Sequence, residues 1–173
     1  MFRSSIYKTP EQLRLMVAPG LATAASLTAA RSKIVAGATT LEIDAVAEAA
    51  IIAAGGASNF KLVPGYRHTI CASVNDEVVH GIPSTRVLQP GDIVSIDSGA
   101  ILGGWNGDSA ITVVIPGGDP AETARRTELS RITEGSLWAG IARLATAKHL
   151  NEVGDAIQTY VENEGSAIGA NYG

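Results

Sequence analysis

Apolar and polar positions change rhythm twice along the chain. Thr9 can cap a helix, with Pro10 at the first helical position and Gln12 three residues after the cap. The pattern runs toward Ile34, interrupted by Pro19-Gly20. A proline inside a helix removes a hydrogen bond and crowds the preceding turn, so a kink or a break is expected there. Thr39 with Glu42 makes a second capping box. The run "LEIDAVAEAAIIAA" puts Leu41, Val46, Ala49, Ala50 and Ala53 near one face, and Gly55-Gly56 ends that helix.

The period then shortens to two. "TICASVN" (69–75), "DIVSIDSGA" (92–100) and "SAITVVI" (109–115) read as strands, with turns at 81–84 and 90–92 and a stop at Pro116-Gly117-Gly118. From Pro120 the helical pattern returns, to about Leu144. A last helix is expected from about Asn151 to Glu164, closed by Gly165. The final "SAIGANYG" reads as the start of a new strand. The order is one α+β unit followed by the helices that open a second, so the expectation is an incomplete domain. A half-built sheet leaves edge backbone groups unpaired.

Composition narrows the class. With 173 residues, 46% hydrophobic and 17% charged, the chain can build a real core. Its net charge of −4 and its few basic residues, densest at Arg125-Arg126 and Arg131, give no nucleic-acid footprint. One cysteine, Cys71, excludes an internal disulfide and fits a reducing compartment. The N-terminus "MFRSSIYKTPEQL" lacks an apolar signal-peptide region, and "AVAEAAIIAAGGA" is too short to span a membrane and carries Glu48. A cytoplasmic location is expected.

The candidate chemistry sits in "SIDSGAILGGWNGDSA" (95–110). If Gly103-Gly104 is a two-residue hairpin turn, residue 99 faces 108 and residue 97 faces 110. Asp97 and Asp108 are then diagonal neighbours on one face, roughly 7–8 Å apart at the backbone. A register slip of one residue would part them. Two such carboxylates repel, and need a cation, a shared proton or solvent. A pair of divalent ions bridged by carboxylates is one answer, water at a sheet edge another, and other catalysis a third. Asp97-Ser98-Gly99 also spells an aspartic-protease motif, but that chemistry needs two facing copies. One copy here would require a symmetric dimer.

His80 lies in "NDEVVHGIP", where a strand opens into a loop, a common place for a functional side chain. A lone histidine is more often structural. The words around it change the weighing: "SVNDEVVHGIPS" followed by "LQPGDIVSIDSGAILGGWNGDSAIT" closely resembles the type I methionine aminopeptidases. The resemblance runs from the helix after Thr9 to the last residue and is densest over 71–113. It implies the pita-bread fold of creatinases and aminopeptidases. Residues 1–173 would then form a single catalytic domain truncated at its C-terminal end, holding the first α+β half and the helices that open the second.

The same resemblance implies removal of the initiator methionine from peptides and nascent chains, by a metal-activated hydroxide attacking the first peptide bond. Asp97 and Asp108 would be two of five ligands for two divalent ions, from Mn, Fe, Co or Zn. His80 would contact the scissile amide. Phe60, Tyr66 and Cys71 match positions around the methionine side-chain pocket, although Phe60 and Tyr66 also read as core and Cys71 as a small buried hydrophobe. His68, His149, Asp76 and Glu77 read as loop or turn residues. Trp105 is expected beside the hairpin turn and Trp138 in the core.

The sequence also departs from the family. The remaining ligands, a histidine after a Tyr-Gly-Gly-His-Gly-Ile-Gly-like run and two glutamates, have no match before the chain stops at "NYG". "NFKLVPGY" and Pro19 are also unusual. The 173-residue chain by itself is therefore expected to be inactive; the complete enzyme is expected to be a monomer, with ribosome association left open. The alternatives are a non-catalytic binding module of the same fold and an Xaa-Pro peptidase. "HGIP" speaks for the methionine branch, by resemblance.

Overall fold

A computed structural model describes residues 7–165. The chain forms two compact units, Met1–Gly118 and Asp119–Gly173. The first begins with helix α1 (Pro10–Lys33) and helix α2 (Thr40–Ala53). Both start with the capping boxes expected of them. Thr9 and Gln12 exchange backbone and side-chain hydrogen bonds, as do Thr39 and Glu42. Each box satisfies donors that a helix start leaves without partners.

The break expected at Pro19 does not occur, and α1 is continuous. Pro19 supplies no N–H for the Leu15 carbonyl, but Leu15 is exposed and water can serve it. The Pro19 carbonyl accepts from the Thr23 hydroxyl at 3.0 Å. Packing holds the turn against a strand glycine: a Cβ on Gly107 would lie 2.5 Å from the Pro19 carbonyl oxygen. Length and composition alone would let α1 cross a membrane, but a third of that stretch is buried in protein. The buried side chains include Ala22, Ser26, Leu27 and Ala30.

The apolar stripe assigned to α2 needs correction. The buried positions are Thr40, Ile43, Asp44, Ala47 and Ile51, while Leu41 is exposed. A helix rich in alanine is apolar nearly all round, so its sequence fixes the buried face poorly.

Four strands form one antiparallel sheet: β1 (Ala57–Ser58), β2 (Ile70–Val74), β3 (Ile93–Leu102) and β4 (Trp105–Val114). β3 is central. β2 and the short β1 pair along one of its edges, and β4 along the other. β1 is absent from the sequence reading because two residues carry no period. β4 begins four residues earlier than expected. Asn106, Gly107 and Asp108 look like loop, but they extend because β3 offers them a full ladder.

One sheet face is apolar. Ile70, Ala72 and Val74 of β2 and Val94 and Ile96 of β3 join Leu27 and Ala30 of α1, Ile34 just after it, and Ile43 and Ala47 of α2, in one core. Burying each large aliphatic side chain contributes about 1.5–3 kcal/mol. Within this layer the Ser26 and Ser98 hydroxyls hydrogen-bond at 2.9 Å, each fully buried.

The second unit contains α3 (Pro120–Leu144), capped by Asp119, and α4 (Asn151–Gly165). Both agree with the helices read from the sequence. Small residues let them pack: Gly140 lies under Ile157 and Val153, and Gly135 under Tyr160. Trp138 is not core; it is 59% exposed, on a stripe with Leu137, Ile141 and Leu144. The strand expected in "SAIGANYG" lies outside the described residues.

Candidate functional site

The opposite sheet face is polar. Gly103 and Gly104 have φ of 59° and 81°, the left-handed pair that a two-residue type I′ turn requires. The resulting register sets Gly99 opposite Asp108 and Asp97 opposite Ala110, the pairing derived from the sequence. Asp97 and Asp108 are therefore diagonal neighbours on one face. Cys71 of β2 stands opposite Asp97 and brings its thiol to the same face. Next to that row lies a row of hydroxyls, Ser73, Ser95 and Thr112, with Ser95 and Thr112 hydrogen-bonded at 2.9 Å.

Asp108 is exposed and Asp97 half-buried. Burial, and then the charge of Asp108, push the Asp97 carboxyl above its ordinary value; His80 opposes this. Among the described residues, no ion pair involves either aspartate. Two carboxylates crowded together without a cationic side chain fit a divalent ion, which prefers such oxygen donors. Among the described residues, no group of three or more His, Cys, Asp or Glu side chains forms a complete site.

His80 occupies the loop after β2, with φ of 57° and its side chain exposed. Its left-handed backbone is locked by the next residue. The Gly81 carbonyl accepts from Ala72 N–H at 2.8 Å, and Gly81 N–H donates to Ser73 Oγ at 3.1 Å. A Cβ on Gly81 would lie 2.3 Å from the Ala72 carbonyl oxygen, so only glycine allows this approach. The loop is stapled to β2, within electrostatic reach of Asp97.

The segment between β1 and β2 walls the face. Tyr66 donates its hydroxyl to the Ile70 carbonyl at 2.6 Å, and that hydroxyl lies 3.3 Å from Cys71 Sγ. Burial raises the Tyr66 phenol above its usual range. It also raises the Cys71 thiol, against the pull of the Tyr66 hydrogen bond. Both stay neutral near pH 7. Phe60, at the start of a 3₁₀ turn (Phe60–Leu62), reaches over Gly99.

His68 is a loop residue with a defined partner. Its ring packs edge-on against Tyr66, and Nδ1 lies 3.1 Å from Asp44. Asp44 also accepts from the Thr69 and Ile70 amides, tying α2 to the start of β2. Asp44 and Ser73 were absent from the candidate residues. Their signals were a lone acid in an apolar helix, and a serine two positions from Cys71.

Thus Asp97, Asp108, Cys71, Phe60 and Tyr66 share one face, with His80 at its margin. His149 is exposed, and Glu77 closes its turn by accepting from Val74 N–H at 2.8 Å.

An α+β unit whose open sheet face carries two carboxylates, with no ion pair to either among the described residues, is compatible with a metallopeptidase. Residues 14–173 match metallopeptidase family M24, and the chain belongs to that family. It is 46% identical over 149 residues to methionine aminopeptidase 1 of Mycobacterium tuberculosis, covering 86% of this chain and 54% of the relative. It is 41% identical to methionine aminopeptidase 1 of Bacillus subtilis, covering 96% of this chain and 66% of the relative. The chain therefore spans between half and two thirds of the length of these relatives.

A methionine aminopeptidase structure from Thermotoga maritima superposes with a TM-score of 0.81 at 35% identity, covering 90% of this chain and 61% of that one. Prolidase from Pyrococcus furiosus shares the fold, with a TM-score of 0.70 at 18% identity, covering 92% of this chain and 45% of that one. The fold is of the pita-bread kind shared by these enzymes.

Proposed function

We propose that this chain supplies Asp97, Asp108 and His80 to the active site of a methionine aminopeptidase, a metalloexopeptidase that removes the first methionine from peptides and nascent chains. The observation that carries this reading is the hairpin register, which sets two carboxylates without a cationic partner on one open face. Asp97 and Asp108 would be two of the five ligands for two divalent ions, drawn from Mn, Fe, Co or Zn, in the complete enzyme. When bound, such ions polarise the scissile carbonyl and lower the pKa of water. His80, locked by Gly81 and Ser73, would place an imidazole nitrogen at the scissile amide and steady the charge that develops there.

Phe60, Tyr66 and Cys71 would receive the methionine side chain. A thioether packs well against aromatic edges and sulfur. Because Tyr66 and Cys71 are both held neutral, the wall presents no charge to an apolar guest. Residues 1–173 would belong to a single catalytic domain, working as a cytoplasmic monomer.

The test is methionine release from Met-Ala-Ser by the complete gene product, with and without Mn²⁺ or Co²⁺. Release is expected only with metal, and Asp97→Asn and Asp108→Asn are each expected to abolish it. Metal-independent release, or preferential cleavage of Xaa-Pro peptides, would overturn the reading.

A further inference from the structure

The segment that walls the pocket crosses the sheet at one place, Gly99. Asn59 N–H donates to the Gly99 carbonyl at 3.3 Å, and Asn59 Nδ2 donates to Asn106 Oδ1 of β4 at 3.1 Å. Asn59 is thus pinned across both strands that carry the aspartates. A Cβ on Gly99 would lie 2.1 Å from Asn59 Oδ1 and 2.8 Å from Phe60 Cε1. Real Cβ atoms do not tolerate such contacts. Gly99 is not among the residues with positive φ, so its backbone does not demand glycine. The space above it does.

The position matters because of what surrounds it. Gly99 lies two residues beyond Asp97 on the same face, directly opposite Asp108. The edge of the Phe60 ring therefore rests over the residue that lies two beyond Asp97 and faces Asp108. The seat also carries a cost, since Asn59 Oδ1 is buried there without a hydrogen-bond partner. Packing against bare backbone holds Asn59 and Phe60 down at the expense of one acceptor.

We propose that Gly99 is a specificity-determining residue for the aminopeptidase reaction. Its missing side chain sets how far Phe60 reaches down toward Asp97 and Asp108. That reach fixes the room left for the first side chain of the substrate. With Phe60, Tyr66 and Cys71 bordering it, that room would take an unbranched apolar side chain more readily than a branched one. The inference rests on the aminopeptidase reading above.

The test compares Met-Ala-Ser with Leu-Ala-Ser on the complete, Mn²⁺-loaded protein and its Gly99→Ala, Phe60→Leu and Gly99→Ala/Phe60→Leu variants. Gly99→Ala is expected to raise KM for Met-Ala-Ser about tenfold or more, the scale of one methylene in a pocket, with kcat little changed. The double variant is expected to recover part of that loss, because a smaller residue 60 relieves the contact with the Phe60 ring and leaves the one with Asn59 Oδ1. Phe60→Leu alone is expected to narrow the preference for Met over Leu, which keeps the proposal testable if Gly99→Ala does not fold. An active parent whose Gly99→Ala variant keeps KM within about twofold, or whose Phe60→Leu variant keeps its Met-over-Leu preference, overturns the role of Gly99 alone. A metal-loaded parent that cleaves neither peptide overturns the aminopeptidase reading and this inference with it.

Discussion

The two faces of one sheet do opposite work. On the covered face, Ile70, Ala72, Val74, Val94 and Ile96 meet α1 and α2 in a core that excludes water. On the open face, the residues between them in sequence are Cys71, Ser73, Ser95 and Asp97. Each strand alternates, so every side chain in the core is followed by one on the polar face, although on β2 Cys71 and Ser73 are themselves covered by Tyr66 and the Gly81 loop. The comparison teaches that this site is built against stability: Asp97 is half-buried, close to a like charge, and has no cationic partner.

The largest effect should come from the covered face. Ile43 is fully buried, and Ile43→Ala is expected to cost about 2–5 kcal/mol in urea unfolding. Mn²⁺ affinity of the folded molecules should not change. A matching loss of affinity would break the separation of the faces.

Ser98→Ala tests the polar exception within that layer. It strands the buried Ser26 hydroxyl, at about 1–3 kcal/mol. The double variant Ser26→Ala/Ser98→Ala should be less destabilised than Ser98→Ala. If their unfolding midpoints fall in the reverse order, the pair holds the layer by more than mutual satisfaction.

Asp97→Asn should act with the opposite sign. The folded carboxyl lies above its ordinary value of 3.8, so the charged form is what folding disfavours. Metal-free stability is then greatest at low pH and declines as pH rises from the ordinary carboxylate value through the folded one. The amide removes that decline. A small rise in Tm is expected at pH 7 without metal. Divalent ions should raise Tm of the parent and not of the variant. A drop in metal-free Tm would show that the open face is not strained.

The smallest effect lies at a helix end remote from both faces. Glu42 is held below its ordinary value of 4.5 by the Thr39 amide, then the Thr39 hydroxyl and Lys33. Its contribution is complete above that value and is lost as pH falls through the lower, folded one. In Glu42→Gln this part of the acid dependence of helical circular dichroism should vanish, while the neutral-pH signal barely changes.

Much of this was legible from local rules. Thr9 and Thr39 announced α1 and α2, because capping is settled within four residues. Gly103-Gly104 announced the hairpin and through it the register of Asp97 and Asp108, because a tight turn leaves few ways to pair its strands. What failed were inferences that depend on a distant partner. The turn at Pro19 survives because β4 carries Gly107 beneath it. The buried side of α2 is selected by the sheet, not by its own uniform alanines. Trp138 is apolar yet exposed, since hydrophobicity alone does not say which face of α3 is covered.

The sequence by itself determined the four helices, the three longer strands to within a few residues, the hairpin register and the common face of the two aspartates, all consequences of backbone geometry over short spans. Only the tertiary structure decided that Phe60 rests on Gly99, that Tyr66 reaches Cys71, and that Gly81 folds back on Ser73 to fix His80. Those contacts join residues through space. The empty volume above a glycine, unlike the glycine itself, is not written in the chain.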